Sequence, residues 1–269
     1  MISKKSLVNP PDFETGEVIL IDKYLDWTSF DVVRSIQVFI KYNYGIKKVK
    51  IGHAGTLDPR ATGLMIICTG RKTKEIDQFQ DLEKEYTGTF HIGKTTLSFD
   101  TETLPDKEYS TSHISESLLL ETAQKFTGDI EQLPPKFSAI KIQGKKAYEF
   151  ARKNKEVNLQ KRPINISRFD IESVNLPDIS FRINCSKGTY IRALANDFGE
   201  ALGSGAYLST LTRTGIGPYR IEDALTIDEF KEKYRVARDP RFKKSVLYLS
   251  KEQNQPFENE PVNPIENQD

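Results

Sequence analysis

Residues 51–71 read IGHAGTLDPRATGLMIICTGR, and the fold turns on how this stretch is read. A loop punctuated by Gly52, Gly55 and Gly63 carries Asp58-Pro59 and runs into the unbroken apolar segment 64–68. An apolar run this short, bounded by turn residues, is a core strand or the start of a buried helix. Upstream, residues 17–21 (EVILI) predict a short buried strand. Thr28-Ser29-Phe30-Asp31 has the spacing of a helix-opening capping box. Val32, Val33, Ile36, Phe39 and Ile40 then follow helical periodicity up to a stop at Gly45. Downstream, residues 85–92 alternate Tyr86, Phe90 and Ile92 against Thr87, Thr89 and His91, which predicts a strand. An amphipathic helix over 115–126, a strand over 179–185, a helix over 191–202 closed by Gly203, and a capping box at 226–229 complete the pattern. Strands broken irregularly by helices predict an α+β fold with a mixed sheet rather than a regular βαβ wheel.

The chain has 269 residues, 37% hydrophobic and 29% charged, the composition of a soluble globular protein with a substantial core. No apolar run approaches the roughly 18 residues of a membrane span, and residues 1–17 lack the apolar segment of a secretory signal. Two cysteines, Cys68 and Cys185, support neither a disulfide framework nor a four-cysteine zinc site, and a cytoplasmic location is the expectation. The net charge of +1 hides an asymmetry. Residues 251–269 hold five acids and one base, which leaves the rest of the chain at +5. The excess gathers in residues 47–74, with seven Lys/Arg against Asp58 alone, and in residues 133–163, with nine against two acids. Such clusters neutralise phosphates, although a basic run is also an ordinary solvated face. The polar tail 251–269 reads as disordered.

Two segments concentrate possible chemistry. Asp58 precedes a proline, which pushes it to an extended backbone, and a stiff loop thus presents one carboxylate among bases. Asp-Pro is equally a common turn starter. The loop lacks the Gly-Lys-Ser/Thr ending of a phosphate-binding P-loop. His53 with Asp58 is too few ligands for a metal, and the other histidines are only His91 and His113. In SKGTYIR, residues 186–192, Gly188 marks a strand-to-helix turn that brings Tyr190 and Arg192 to the helix entry. An arginine there opposes the helix dipole, so it is either a plain surface residue or one with a specific anionic partner.

Four blocks in order carry a resemblance: LIDKYLDWTSFDVVRSI (20–36), GHAGTLDPRATG with TGRKTK (52–63 and 69–74), PPKFSAIKIQGKKAYEFAR (134–152) and CSKGTYIRALANDFGEALGSGAYLSTLTRT (185–214). Together they resemble the TruB family of tRNA pseudouridine synthases, over residues 18–223. The resemblance implies the pseudouridine synthase fold, a mixed, mostly antiparallel central sheet flanked by helices. It also implies an RNA-gripping insertion at about residues 124–160 and isomerisation of uridine 55 in the tRNA T-loop. It places the nucleophile at Asp58, the active-site tyrosine at Tyr86 of KEYTGTF and the partner of the nucleophile at Arg192. His53 would fill the space left by the everted base; Lys23, Tyr190 and Leu211 would line the substrate site. No metal or other cofactor is implied. The expected partner is the T-arm of tRNA, with no guide RNA and no membrane, and the chain is expected to be a monomer. The layout implied is a catalytic domain over 1–250 followed by the tail, without a complete PUA domain. An RNA-folding role without catalysis and a guide-dependent synthase are the competing readings. The chain departs from the family pattern at Tyr24-Leu25-Asp26, where Pro-x-Gly usually follows Asp-Lys. It departs again in IGKTTLSFDTET, where only Thr95, Thr96, Asp100 and Thr101 echo the usual Thr/Asp-rich stretch.

Overall fold

The computed structural model describes residues 1–6, 10–135 and 159–236, together with the backbone of two short strands inside 136–158. It divides into two units, 1–233 and 234–269, and all that follows concerns the first. Most of the stretch read as an insertion, and the whole tail 251–269, lie outside the described residues.

The elements run β1 (Val18–Lys23), α1 (Ser29–Tyr44), β2 (Ile51–His53), β3 (Ala61–Thr69), a 3-10 turn (Gly70–Glu75), α2 (Ile76–Asp81) and β4 (Lys84–Ile92). Next come β5 (Lys94–Thr96), β6 (Pro105–Glu108), α3 (Glu116–Lys125), β7 (Gly128–Gln132), β8 (Lys141–Ile142), β9 (Lys145–Lys146), β10 (Arg162–Asn175) and β11 (Asp178–Cys185). The series ends with α4 (Ile191–Ala201), β12 (Ala206–Ile216), β13 (Tyr219–Arg220), β14 (Leu225–Thr226) and α5 (Ile227–Lys233).

Among the described residues, ten strands form one sheet in the order β14-β1-β3-β12-β4-β11-β10-β7, with β2 added to β3 and β13 to β12. Pairing is antiparallel except at β1/β14 and β3/β12, so the sheet is mixed and mostly antiparallel, as expected from the sequence. The run 64–68 is a strand: Leu64, Met65, Ile66, Ile67 and Cys68 are all fully buried within β3. A strand this apolar on both faces has neighbours on each side and is covered above and below. One face packs Leu64, Ile66 and Cys68 with Val18, Leu20, Ala54 and Ile216.

Local signals operate as read. Thr28 and Asp31 exchange the two bonds of a capping box at the start of α1, and Gly45 ends that helix at φ 73°. Thr226 and Glu229 make the same exchange before α5. Helix α4 lies on the sheet through Phe198, whose ring sits 5.7 Å from Phe90 and 5.4 Å from Phe169. That packing fixes where the helix entry falls.

Candidate active site

The carboxylate of Asp58 stands in the loop between β2 and β3. Pro59 follows it, and the Asp58 carbonyl accepts from Ala61 N at 3.0 Å, which turns the chain into β3. Arg192, in the first turn of α4, donates from Nε to Asp58 Oδ2 at 3.0 Å. The guanidinium side is 6% exposed and the carboxylate 45%, so a buried cation holds an acid that reaches solvent. Arg192 Nη1 also points to Ser98 O at 3.5 Å. The arginine that opposes the helix dipole therefore has its anionic partner, 134 residues away in sequence.

The helix entry itself is clamped. Tyr190, the N-cap of α4, has no side-chain cap. Instead its N–H donates to Gln132 Oε1 at 2.8 Å and its carbonyl accepts from Gln132 Nε2 at 3.0 Å. Gln132 is buried at the end of β7, and the Arg192 guanidinium sits 5.9 Å from the Tyr190 ring centroid.

Tyr86 is buried in β4, with Arg213 of β12 and Ile183 of β11 as its cross-strand neighbours. Burial pushes its phenol above the usual range, and the nearby Arg213 guanidinium opposes that shift. Arg213 is 1% exposed; its Nε donates to Leu64 O at 2.7 Å and its Nη2 to Gly55 O at 3.2 Å. It thereby ties β12 to β3 and to the loop carrying Asp58. Gly63 is needed at this crossing: its φ is 106°, and a Cβ there would stand 2.4 Å from Arg213 O. His53 ends β2; burial holds its imidazole below the usual value, and its Nδ1 is buried with no hydrogen-bond partner among the described residues. Leu211 pairs with Ala61 on one side and Gly88 on the other. It lines a cleft with Asp58, Arg60, Asp100, Leu208 and Thr210. A register shift between Leu208 and Thr210 bulges β12 at the cleft, a device that re-aims side chains beside active sites.

Lys23 lies at the end of β1, 1% exposed, with Nζ donating to Tyr24 O at 3.0 Å and Trp27 O at 2.6 Å. Burial pushes its ammonium down to about 8 from the ordinary 10.5, with the Asp58 carboxylate opposing. Between those two values the folded chain releases this proton while the unfolded chain keeps it, so stability from this group rises with pH. Urea unfolding below pH 8 and again near pH 10 is expected to show wild type gaining on Lys23→Met. A difference that stays flat across that window would show Lys23 titrating as in the unfolded chain.

Two non-glycine residues of the described chain have positive φ, and both lie here: Asp26 at 63° and Phe99 at 65°. Such strain persists only where the surroundings over-determine it, and it clusters at functional sites. Asp26 occupies the left-handed position left open by the departure from Pro-x-Gly; Asp tolerates that region better than most residues. Phe99 sits between Ser98 and Asp100. The buried Asp100 carboxylate accepts from Ser98 Oγ at 2.6 Å and Glu102 N at 2.9 Å, which braces the carbonyl facing Arg192. The roles of Arg213, Gln132 and Ser98 were not readable from the sequence. The one signal was an arginine set within the otherwise uncharged strand sequence of β12.

This architecture is the pseudouridine synthase fold. It aligns with a Cbf5-Nop10-Gar1 complex structure at TM-score 0.61 and 24% identity, over 87% of this chain and 63% of that one. A structure of an H/ACA RNP bound to a substrate RNA containing 2'-deoxyuridine aligns at TM-score 0.59 and 23% identity, over 91% and 57%. Residues 41–191 match the TruB family pseudouridylate synthase N-terminal domain, and residues 192–251 match the tRNA pseudouridylate synthase B C-terminal domain. A Phocaeicola vulgatus protein named tRNA pseudouridine synthase B is 52% identical over 82% of this chain and 94% of its own length. One of the same name from Flavobacterium johnsoniae is 50% identical over 84% and 99%. The chain belongs to the TruB family of pseudouridylate synthases.

Proposed function

We propose that this chain isomerises uridine to pseudouridine in the T-loop of tRNA, at position 55, with Asp58 as nucleophile. The observation that carries the reading is the Asp58–Arg192 pair, in which a buried guanidinium fixes a solvent-reaching carboxylate that lines a small cleft. The Arg192 Nε bond to Oδ2 fixes the direction of the carboxylate that attacks. The reaction breaks the bond from sugar C1′ to uracil N1 and forms one from C1′ to C5. C5 loses its proton and N1 takes one up, with no change of oxidation state. Asp58 oxygen bonds either to C1′, displacing uracil N1, or to uracil C6 before C1′–N1 breaks. One fragment is then tethered to Asp58, the other stays in the pocket while the base turns, and the Asp58 bond breaks as or after C1′ joins C5.

Each neighbour has a part in this reading. Tyr86 stacks on the uracil, a contact worth roughly 1–3 kcal/mol in base–aromatic systems. Leu211 and Tyr190 line the pocket, and Lys23 shapes the turn behind Asp58. The target uridine is folded into the T-loop, so it must be everted at a cost of a few kcal/mol. His53 offsets part of that cost by filling the vacated space. The nine Lys/Arg of residues 133–163 supply phosphate contacts to the T-arm, read by shape rather than by base. In the same reading residues 1–250 are the catalytic domain. It acts as a cytoplasmic monomer without guide RNA. No helix among the described residues is long and apolar enough to cross a membrane.

The direct test incubates the purified chain with a synthetic T-arm hairpin, without any second RNA, and maps pseudouridine by position. Product at the T-loop uridine alone is expected. No product, or product only when a guide RNA is added, would remove the reading.

A further inference from the structure

The connection between β1 and α1 touches the Asp58 loop on both sides of the carboxylate. We propose that residues 26–29 form a strap that fixes the backbone around Asp58, with Ser29 as the principal positioning residue and Asp26 as the secondary one. The catalytic meaning of the strap rests on the function proposed above; its mechanical meaning does not.

Ser29 Oγ accepts from Leu57 N at 2.8 Å and donates to Leu57 O at 3.0 Å. Ser29 and Leu57 are each 3% exposed, so water does not compete for either bond. Both backbone polar groups of Leu57, the residue before Asp58, thus depend on one hydroxyl. Beyond Asp58, Asp26 N donates to Pro59 O at 2.9 Å, and the Asp26 carboxylate meets Arg60 Nη1 at 2.7 Å. The Asp58 carbonyl closes its own turn on Ala61 N. Residues 57 to 60 are each held, which leaves the Asp58 side chain to settle against Arg192.

The strap is anchored at both ends. Lys23 curls it from inside through the Tyr24 and Trp27 carbonyls, and the Thr28–Asp31 capping box ties its far end to α1. The positive φ of Asp26 follows from aiming its N–H at Pro59 and its carboxylate at Arg60 in one short turn. The two contacts differ in weight. The Asp26–Arg60 pair is 64% and 45% exposed, and exposed pairs contribute little. The buried hydroxyl is costly to lose, because it leaves a donor and an acceptor unsatisfied together.

The test uses the full chain with Ser29→Ala, Ser29→Thr and Asp26→Gly, read two ways. On a T-arm hairpin, Ser29→Ala is expected to lower kcat by about 10- to 100-fold with KM within about threefold, since small displacements of a reacting group cost rate rather than binding. In hydrogen exchange, peptides covering 55–61 should exchange at least about tenfold faster while β4 and α4 keep wild-type protection. Ser29→Thr, which keeps the hydroxyl, restores both. Asp26→Gly keeps the N–H and is expected to lose less rate than Ser29→Ala. Wild-type kcat in Ser29→Ala overturns the proposal. So does loosening spread over the whole sheet without rescue by threonine, or a larger loss in Asp26→Gly. If the wild type makes no pseudouridine, the isomerase reading falls, and the exchange at 55–61 still decides the strap.

Discussion

Asp58→Asn is expected to bind T-arm RNA with near wild-type affinity and to form no measurable pseudouridine, a loss of at least about 10³-fold in turnover, as when a nucleophile is removed elsewhere. The substitution keeps the shape of the side chain and an oxygen that can still accept from Arg192 Nε. It removes the charge and the nucleophilic oxygen pair. On the proposed reading affinity resides in phosphate contacts and in stacking, neither of which Asp58 supplies, so it is expected to survive. The variant also leaves a guanidinium that is 6% exposed without its anion, so a loss of stability of about 1–3 kcal/mol is expected alongside. Filter binding or anisotropy, a pseudouridine assay and thermal unfolding separate these three effects. Normal product from a correctly folded variant would remove Asp58 from the mechanism, whatever its distance from Arg192. The same variant decides against a purely RNA-folding role: a folding factor would refold tRNA as well without the carboxylate and would not have made pseudouridine with it.

What could be read in advance was whatever local physics dictates. The Thr28–Asp31 spacing needs only a helix start to become a capping box, and Gly45 needs only a helix end to become its stop. The apolar run 64–68 had two readings, strand or helix start, because periodicity does not separate a short buried strand from a buried helical turn. Its partners decided, with β1 antiparallel on one side and β12 parallel on the other. That parallel pairing joins Thr62 to Thr212, whose hydroxyls meet at 2.9 Å across 150 residues. No spacing in the sequence announces such a register. The Arg192–Asp58 contact was foreshadowed by an arginine in the wrong place for a helix dipole, a local conflict that required a distant resolution. Arg213 gave weaker warning. An arginine near a strand end is ordinarily a surface residue, and its near-complete burial depends on carbonyls supplied by Leu64 and by Gly55. Ser29 gave none, because it follows the Thr28 cap as an ordinary first-turn residue and its bonds to Leu57 depend on a loop 28 residues away.

The second large effect is expected at Arg192→Lys, which keeps the charge and discards the shape. Arg192 uses Nε on Asp58 Oδ2 and extends Nη1 toward Ser98 O, two directions fixed by one planar group. An ammonium on a shorter stem serves one of them at a time, and its stronger hydration penalises a site that is 5% exposed. A charge-assisted hydrogen bond is worth about 1.5–3 kcal/mol, and at 1.36 kcal/mol for each tenfold in rate that is about 10- to 100-fold in kcat. Misalignment of Asp58 adds to this, because a displacement of about 1 Å alone can cost about 10²-fold. The expected result is therefore a fall in kcat of about 10²- to 10³-fold with KM for T-arm RNA changed by less than about fivefold. A fall carried mainly by KM would recast Arg192 as a phosphate-binding residue whose contact with Asp58 is incidental. Turnover at the wild-type level would show that charge near Asp58 is sufficient and that the fork geometry, with the Gln132 clamp that sets the start of α4, has no part in the rate.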